Sequence, residues 1–387
     1  MGDKLVMPPR SRDASTNPLA NWGNDDLLLT EQARRTVAEA APRAFRVLDW
    51  ATLREEFERH DISANRAKRK VNRHGVTGAL LSAVGASLLA LAQLLPASAA
   101  QSAVIVVGCM FVFVGGSMGI WHLLGHSGRA RWLLDRLWTE RLRQFYFQYL
   151  INNLDVAVAA MGGDAEVEKY RSTRDGALGA FIDDTEKNLS ARSFVDAIGW
   201  LADDHDDARA WGQSVWQANR VSTGTPMTDD HRELFECLSR GRIGIQEIYA
   251  QLNLKPGSSS QGNMARRIVQ RGNVATLAFV VSLTLAGISI LLGSGQGSLP
   301  SDILIALSGV AAAWGLYFRV VDQGMGYSLD AERYELYAEQ IGLVRQRFDA
   351  AGDDVHSKIA ALRQIEIYTY REMRQFLHTH LRSRFLG

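Results

Sequence analysis

An all-α membrane protein with two transmembrane helical hairpins, four spans in all, and long cytosolic amphipathic helices is the fold class this sequence predicts. Three observations carry it. Between Arg73 and Arg129 lie 55 residues without one Asp, Glu, Lys or Arg, and between Arg271 and Asp302 lie another 30. The first gap is divided at Pro96 into 75–95 and 103–125, each close to the roughly 20 apolar residues that cross a bilayer core about 30 Å thick. The second opens a similar pair, 274–292 and 303–318, around a turn at 293–302. Elsewhere apolar residues recur at helical spacing, and neither a βαβ pattern nor sustained alternation is present.

Bulk composition hides this segregation. Lys and Arg number 43 against 42 Asp and Glu, a net charge of +1, so the balance argues against nucleic acid as a partner. The lipid bilayer is the partner expected first. Two cysteines, Cys109 in the second span and Cys237 in a polar region, imply no disulfide framework.

Four segments follow in order. Residues 1–44 form an N-terminal segment expected to be partly disordered, its first 17 residues running beside Pro8, Pro9 and Pro18. The opening MGDKLVMPPRSRD has no apolar core, so no cleaved signal is expected. It also lacks the Ser or Thr at the sixth position of a myristoylation signal. Residues 45–155 hold the first hairpin and its stalk, 156–234 a cytosolic helical connector, and 235–387 the second hairpin with its stalk and a C-terminal helix.

The flanks set orientation, because cytoplasmic ends of spans are enriched in Lys and Arg. Arg66, Lys68, Arg69, Lys70 and Arg73 precede the first span, and Arg129 and Arg131 follow the second. Arg266, Arg267 and Arg271 precede the third span and Arg319 follows the fourth. The first turn carries no charge and the second only Asp302. Both termini and the central region are therefore expected in the cytosol.

After each hairpin runs a stalk with a 3.6-residue apolar stripe. The first stripe is Leu134, Trp138, Leu142, Phe145 and Tyr149, and the second is Tyr334, Tyr337, Ile341, Val344 and Phe348. A last helix, 355–385, follows Ala-Gly-Asp-Asp, which suits a turn with an Asp cap. Its Ile359, Leu362, Ile365, Met373, Phe376 and Leu377 are placed to pack on the preceding stalk. In the connector, 190–200 and 230–248 read as helices, and 256–262 as a flexible joint.

The two halves repeat one order of parts. Gly75 and Val274 stand 199 positions apart, as do Glu140 and Glu339. Duplication, or fusion of two related modules, accounts for that constant offset.

Candidate sites are few. His122 and His126 share a helix face but lack a third ligand and the Glu of H-E-x-x-H. The run 203–207 (Asp-Asp-His-Asp-Asp) lacks the spacing and distal Glu of a calcium loop. No metal or cofactor is expected. Nor is there a phosphate-cradling loop, a nucleophile elbow or a pair of carboxylates on one face, so no catalytic residue is assigned and no enzyme is expected. Gly115-x-x-x-Gly119 and Gly309-x-x-x-Ala313 place small residues on one face of the second and fourth spans, which lets helices pack closely in lipid. That closeness serves helices within a chain or between chains. The spans hold no ionisable carboxylate, Lys or Arg, which disfavours proton relays and most coupled transporters. Thr77, Ser82, Ser87, Gln93, Ser282, Thr284 and Ser308 are left either to line a pore or to bond helix to helix.

The first hairpin, with WLLDRLWTERLRQFYFQYL after it and WATLREEFERHDISANRAKRK before it, resembles the SLATT superfamily, the SMODS and SLOG-associating two-transmembrane effector domains of bacterial conflict systems. The shared parts are the basic entering helix, the two spans with a tiny turn, and an Ala/Thr-Glu-x-x-Arg element in the stalk, here Thr139-Glu140-Arg141-Leu142-Arg143. The second half is similar to another SLATT subtype through Ala338-Glu339 and the closing IEIYTYREMRQFL, although Gly342-Leu343 replace the Leu-Arg expected after Glu339. The resemblance covers about 45–155 and 235–385 and implies two tandem copies. It implies a bacterial inner-membrane effector that oligomerises and permeabilises the bilayer when a nucleotide-sensing or infection-sensing partner triggers it. It also implies a stalk role for Arg136, Glu140, Arg143 and Glu339. Read from residues alone, Arg136, Glu140 and Arg143 form a helix-surface charge group, worth about 0.2 to 0.5 kcal/mol per pair. A scaffold or sensor subunit that merely anchors cytosolic helices is the competing reading, and a transporter accessory subunit a more distant one.

Overall fold

The computed structural model describes residues 25–124, 126–190, 225–255, 261–291 and 299–382, with the backbone alone at 120–124, 126–127, 190, 261, 299 and 382. Every regular element among them is a helix. The connector helix expected at 190–200, the acidic run 203–207 and the joint at 256–260 lie outside the described residues, as does the N-terminal proline-rich stretch.

Two short helices open the chain. α1 (Glu31–Ala40) starts at Thr30, whose hydroxyl accepts from the Ala33 N–H at 3.2 Å, satisfying one of the donors a helix start leaves free. α2 (Pro42–Leu48) begins on Pro42, whose missing N–H costs nothing in the first turn. α3 (Ala51–Ala92) is one unbroken helix of 42 residues, about 63 Å long at 1.5 Å per residue. It joins the polar entering segment to the first span. α4 (Ala99–Leu124) returns, and α5 (His126–Asn152) is the first stalk. α6 (Leu154–Met161) and α7 (Asp164–Ser190) follow. Next come α8 (Asp229–Leu238), a π-helical turn at Ser239–Gly244, and α9 (Ile245–Leu254), which are continuous with one another. The second hairpin is α10 (Gln261–Leu291) and α11 (Leu299–Met325), and α12 (Tyr327–Ala350) and α13 (Val355–Arg382) close the chain.

Four of these helices are long enough and apolar enough to cross a membrane. Their outward faces agree with that environment: Phe113 is 74% exposed, Leu277 64% and Val274 63%. Water penalises such a continuous apolar belt, whereas lipid does not. The spans pack in the order α4, α3, α11, α10, with α3 and α11 joining the hairpins.

Glycine sets the closeness of the first hairpin. Gly78 lies against Gly115 and Gly85 against Gly108, so that a Cβ on Gly85 would come within 2.6 Å of the Gly108 carbonyl. A Cβ on Gly115 would meet the Gly78 carbonyl at 2.5 Å. The small-residue face of α4 is thus spent inside its own hairpin. Gly309 is used between hairpins, where an added Cβ would approach that of Ala90 to 2.8 Å. The second hairpin is looser, with Gly315 facing Ala275 at an ordinary 3.7 Å.

Span hydroxyls turn out to be used locally. Ser87 donates to the Ala83 carbonyl at 2.8 Å, Ser282 to Ala278 at 2.7 Å, Thr284 to Val280 at 2.8 Å and Ser308 to Ile305 at 2.7 Å. These four bonds lie within single helices, so they are not the helix-to-helix bonds that are one of the two readings of these hydroxyls. Apolar surroundings favour them because a hydroxyl in lipid must find an acceptor close by.

Outside the spans one apolar core gathers residues from all four sequence segments: Leu27, Leu28 and Ala44, then Phe145 and Leu150, then Tyr170 and Phe181, then Ile341 and Leu362. The stalk stripes meet in it, and their buried positions keep the 199-residue offset: Trp138 and Tyr337, Leu142 and Ile341, Phe145 and Val344, Tyr149 and Phe348. The α13 residues Ile359, Leu362, Ile365, Met373 and Leu377 are buried as well, with Phe376 half-buried.

Candidate functional site

α5 is wrapped on every side over its second half, since residues 144–152 are all buried. Its apolar stripe faces the core. On another face, Arg136, Glu140 and Arg143 recur at four and three residues, the spacing that aligns side chains along a helix. That face is covered by α9 and α13, which leaves Glu140 only 6% exposed. The trio is therefore not the solvated surface group its spacing suggested.

Glu140 is clamped from both sides. Arg143 Nη1 donates to both its carboxylate oxygens at 2.8 Å, and Arg136 forms an ion pair with it one turn earlier. Burial raises the carboxyl, but Arg136 and Arg143 outweigh it and hold its pKa down at about 2. Arg143 reaches on to Asp26, with Nε at 3.0 Å from Oδ2, which ties the N-terminal segment to the stalk. Asp26 also accepts from Gln246 Nε2 at 3.2 Å.

These groups surround a cavity of about 200 Å³ lined by Asp26, Arg136, Glu140, Arg143, Ile245, Gln246, Tyr249, Thr369 and Glu372. The wall draws on α5 from the first half and α9 and α13 from the second. Tyr249 and Tyr334 share a hydroxyl hydrogen bond at 2.8 Å, and Tyr337 donates to Gln246 Oε1 at 2.9 Å. Glu372 accepts from Arg333 Nε at 2.9 Å, yet burial prevails and its carboxyl sits above the ordinary range. Arg333 in turn donates to Asp330 at 2.7 Å, and His380 Nε2 lies 3.3 Å from the same carboxylate. Burial lowers the His380 pKa against the pull of Asp330.

Arg242 is the residue sequence reasoning missed. It is fully buried, with Nε and Nη2 donating to the two oxygens of Glu366 at 2.6 and 2.9 Å, and its guanidinium lies 4.4 Å from the centre of the Phe147 ring. The π-helical turn Ser239–Gly244 carries it. The segment S-R-G-R-I-G, two glycines inside an otherwise helical stretch, was the available signal.

The other expected site residues are dispersed. Glu339 is exposed and forms no ion pair among the described residues. The position 199 after Arg143 is Gly342, so the second stalk has no counterpart of the Glu140 clamp. Arg66, Arg69, Lys70, Arg73, Arg266, Arg267 and Arg271 are exposed at the basic ends of the hairpins, while Lys68 is half-buried over the Trp132 ring at 5.7 Å. Gly115 and Gly309 lie in the contacts already given, with Gly119 and Ala313 half-buried beside them. The side chains of His122 and His126 lie outside the described residues. Chemically, the cavity pairs cations with carboxylates and brings no nucleophile to a base. Its evident capacity is to lock two halves together through charge.

Comparisons with protein-family models, with curated proteins and with solved structures return no match to this chain. Fold and site together define an all-α, multi-pass membrane protein, built of two helical hairpins on a shared helical body with a buried charge cluster at the junction of its halves.

Proposed function

We propose that this chain is a membrane effector of a bacterial conflict system, of the SLATT kind. In this reading it sits in the inner membrane with its termini and helical body in the cytosol. It assembles with further copies of itself and permeabilises the bilayer when a nucleotide-sensing or infection-sensing partner acts on that body. It needs no catalytic step and no nucleic acid.

One observation carries the reading: each pair of charge-free spans is followed almost at once by a stalk, and both stalks end in one body held by buried ion pairs. At the second junction only Gly326 intervenes, in the left-handed conformation at φ 68°. A buried cluster of paired charges has few compromise states, because separating a pair strands both members in a poor solvent. Displacing the body by a partner is therefore transmitted to both hairpins at once.

The test is induction of the full chain in bacteria with its native neighbouring proteins while a potential-sensitive dye is followed. Rapid depolarisation that requires an intact Glu140 clamp supports the effector reading. A preserved potential under triggering conditions refutes it. A scaffold is the second reading, and it draws support from span hydroxyls that are satisfied within their own helices. Exchanging both hairpins for unrelated span pairs separates the two, since only a scaffold keeps its function after the exchange.

A further inference from the structure

The two hairpins do not sit level. α3 and α11 run antiparallel with Gly309 against Ala90, and just past α11 Asp330 interacts with Lys68, which agrees with the same register. Ten residues along α11 from Gly309 is Arg319, and ten residues back along α3 from Ala90 is Leu80. α10 pairs with α11 through Gly272 against Phe318 at 3.5 Å and Gly315 against Ala275 at 3.7 Å, which brings Arg271 to the depth of Arg319. Both therefore stand level with Leu80, seven residues inside Arg73, or about 10 Å deeper at 1.5 Å per residue. At the other end α11 begins at Leu299 and overruns the end of α3 at Ala92. The second hairpin is thus displaced along the membrane axis by about two helical turns rather than shortened.

A flat bilayer cannot match both hairpins. Either the first leaves apolar surface outside the hydrocarbon or the second holds arginines within it, and each arrangement is costly. Arg267 precedes Arg271 by one turn on the same face of α10. Arg267, Arg271 and Arg319 are exposed and make no ion pair among the described residues. Asp322, the acid next along α11, is committed to Ser328, accepting from its N–H at 3.1 Å and its hydroxyl at 2.8 Å. Three uncompensated guanidiniums at the depth of a neighbouring helix's apolar stretch call for anions that membranes themselves supply.

We propose that Arg267, Arg271 and Arg319 form a binding site for the phosphates of anionic phospholipid headgroups. The site lies about two helical turns nearer the bilayer centre than the flank of Arg66, Arg69, Lys70 and Arg73 on the first hairpin. Headgroups drawn to it thin that leaflet around the second hairpin. The proposal needs only the four apolar helices and stands whether or not an assembly conducts ions.

The test is a native mass-spectrometric titration of the full chain in mild detergent, with phosphatidylglycerol as anionic probe and phosphatidylcholine as neutral control. The variant Arg267→Gln/Arg271→Gln/Arg319→Gln is expected to lose phosphatidylglycerol affinity by about fivefold per arginine, about a hundredfold in all. Arg66→Gln/Arg69→Gln/Arg73→Gln is expected to lose clearly less, because those side chains lie outside the apolar belt and stay hydrated. Melting midpoints without lipid identify misfolded variants. Should the first triple misfold, the three single exchanges replace it, each expected to cost about fivefold. Equal losses from the two triples, no loss from the first, or equal retention of both lipids by the unaltered chain overturns the site.

Discussion

Glu140 and Glu372 face the same cavity from opposite electrostatic positions. Two arginines hold the Glu140 pKa at about 2, while burial lifts that of Glu372. Removing charge should therefore have unequal effects. Glu140→Gln strands Arg136, leaves Arg143 only Asp26, and is expected to cost about 3 kcal/mol, whereas Glu372→Gln, which leaves Arg333 its bond to Asp330, should cost less than about 1 kcal/mol. Thermal unfolding of the purified chain at pH 7 measures both, and equal losses would contradict the assignment. The pH dependence follows in sign. A depressed carboxylate stabilises above its unfolded value near 4.5 and loses that share only as pH falls through about 2. Glu372 acts the other way, its share being full below the unfolded value and lost as pH rises through its elevated one. Mild acidification from pH 7 to about 5 should hence favour the unaltered chain over Glu372→Gln, while the lowered His380, which resists protonation when folded, costs both chains stability alike. The spacing of Arg136, Glu140 and Arg143 could be read from the sequence, but their burial could not, because it depends on α9 and α13 more than 100 positions away. Arg242 was hidden for a local reason: a π turn shifts the facing of a helix in a way no 3.6-residue count registers.

Among the elements, the spans were legible because the absence of charge over their length has few other causes, and in α3, α10 and α11 the helix then runs on past the apolar stretch on its basic side. α3 is the clearest case, one helix where the sequence offered a basic flank and a span. What could not be read was which partner each glycine serves, since a small-xxx-small face fits a neighbour in the same chain as well as in another. The structure distinguishes adjacent positions. Gly115 has the Gly78 carbonyl 2.5 Å from a would-be Cβ, while Gly116 has nothing within 4 Å. Gly115→Ala should therefore push α3 and α4 apart and destabilise the first hairpin by about 1 to 3 kcal/mol, while Gly116→Ala should be neutral or slightly stabilising. Unfolding of each variant in detergent decides this, and a harmless Gly115→Ala would refute the packing described.

For the molecule as a whole, the repeat of parts was visible in the 199-residue offset, and the buried stripe positions follow it. The sharing of one core was not visible, because a periodic pattern names the face that is buried and not the helix that buries it. Arg242, encoded before the second hairpin, pairs with Glu366, encoded after it. Residues 1–255 expressed alone should accordingly fail to accumulate in the membrane fraction, and co-expression with 256–387 should restore them. Immunoblotting measures both, and normal accumulation of 1–255 alone would show that the halves are independent after all. The same pairing sets an order in time. α5 leaves the ribosome long before α13, with Glu372 standing 229 positions after Arg143. At about 5 to 20 residues per second that is roughly 10 to 50 s during which the newborn first stalk bears its charged face uncovered. Throughout that interval the first hairpin can already be inserting while the cover for its stalk is still being translated.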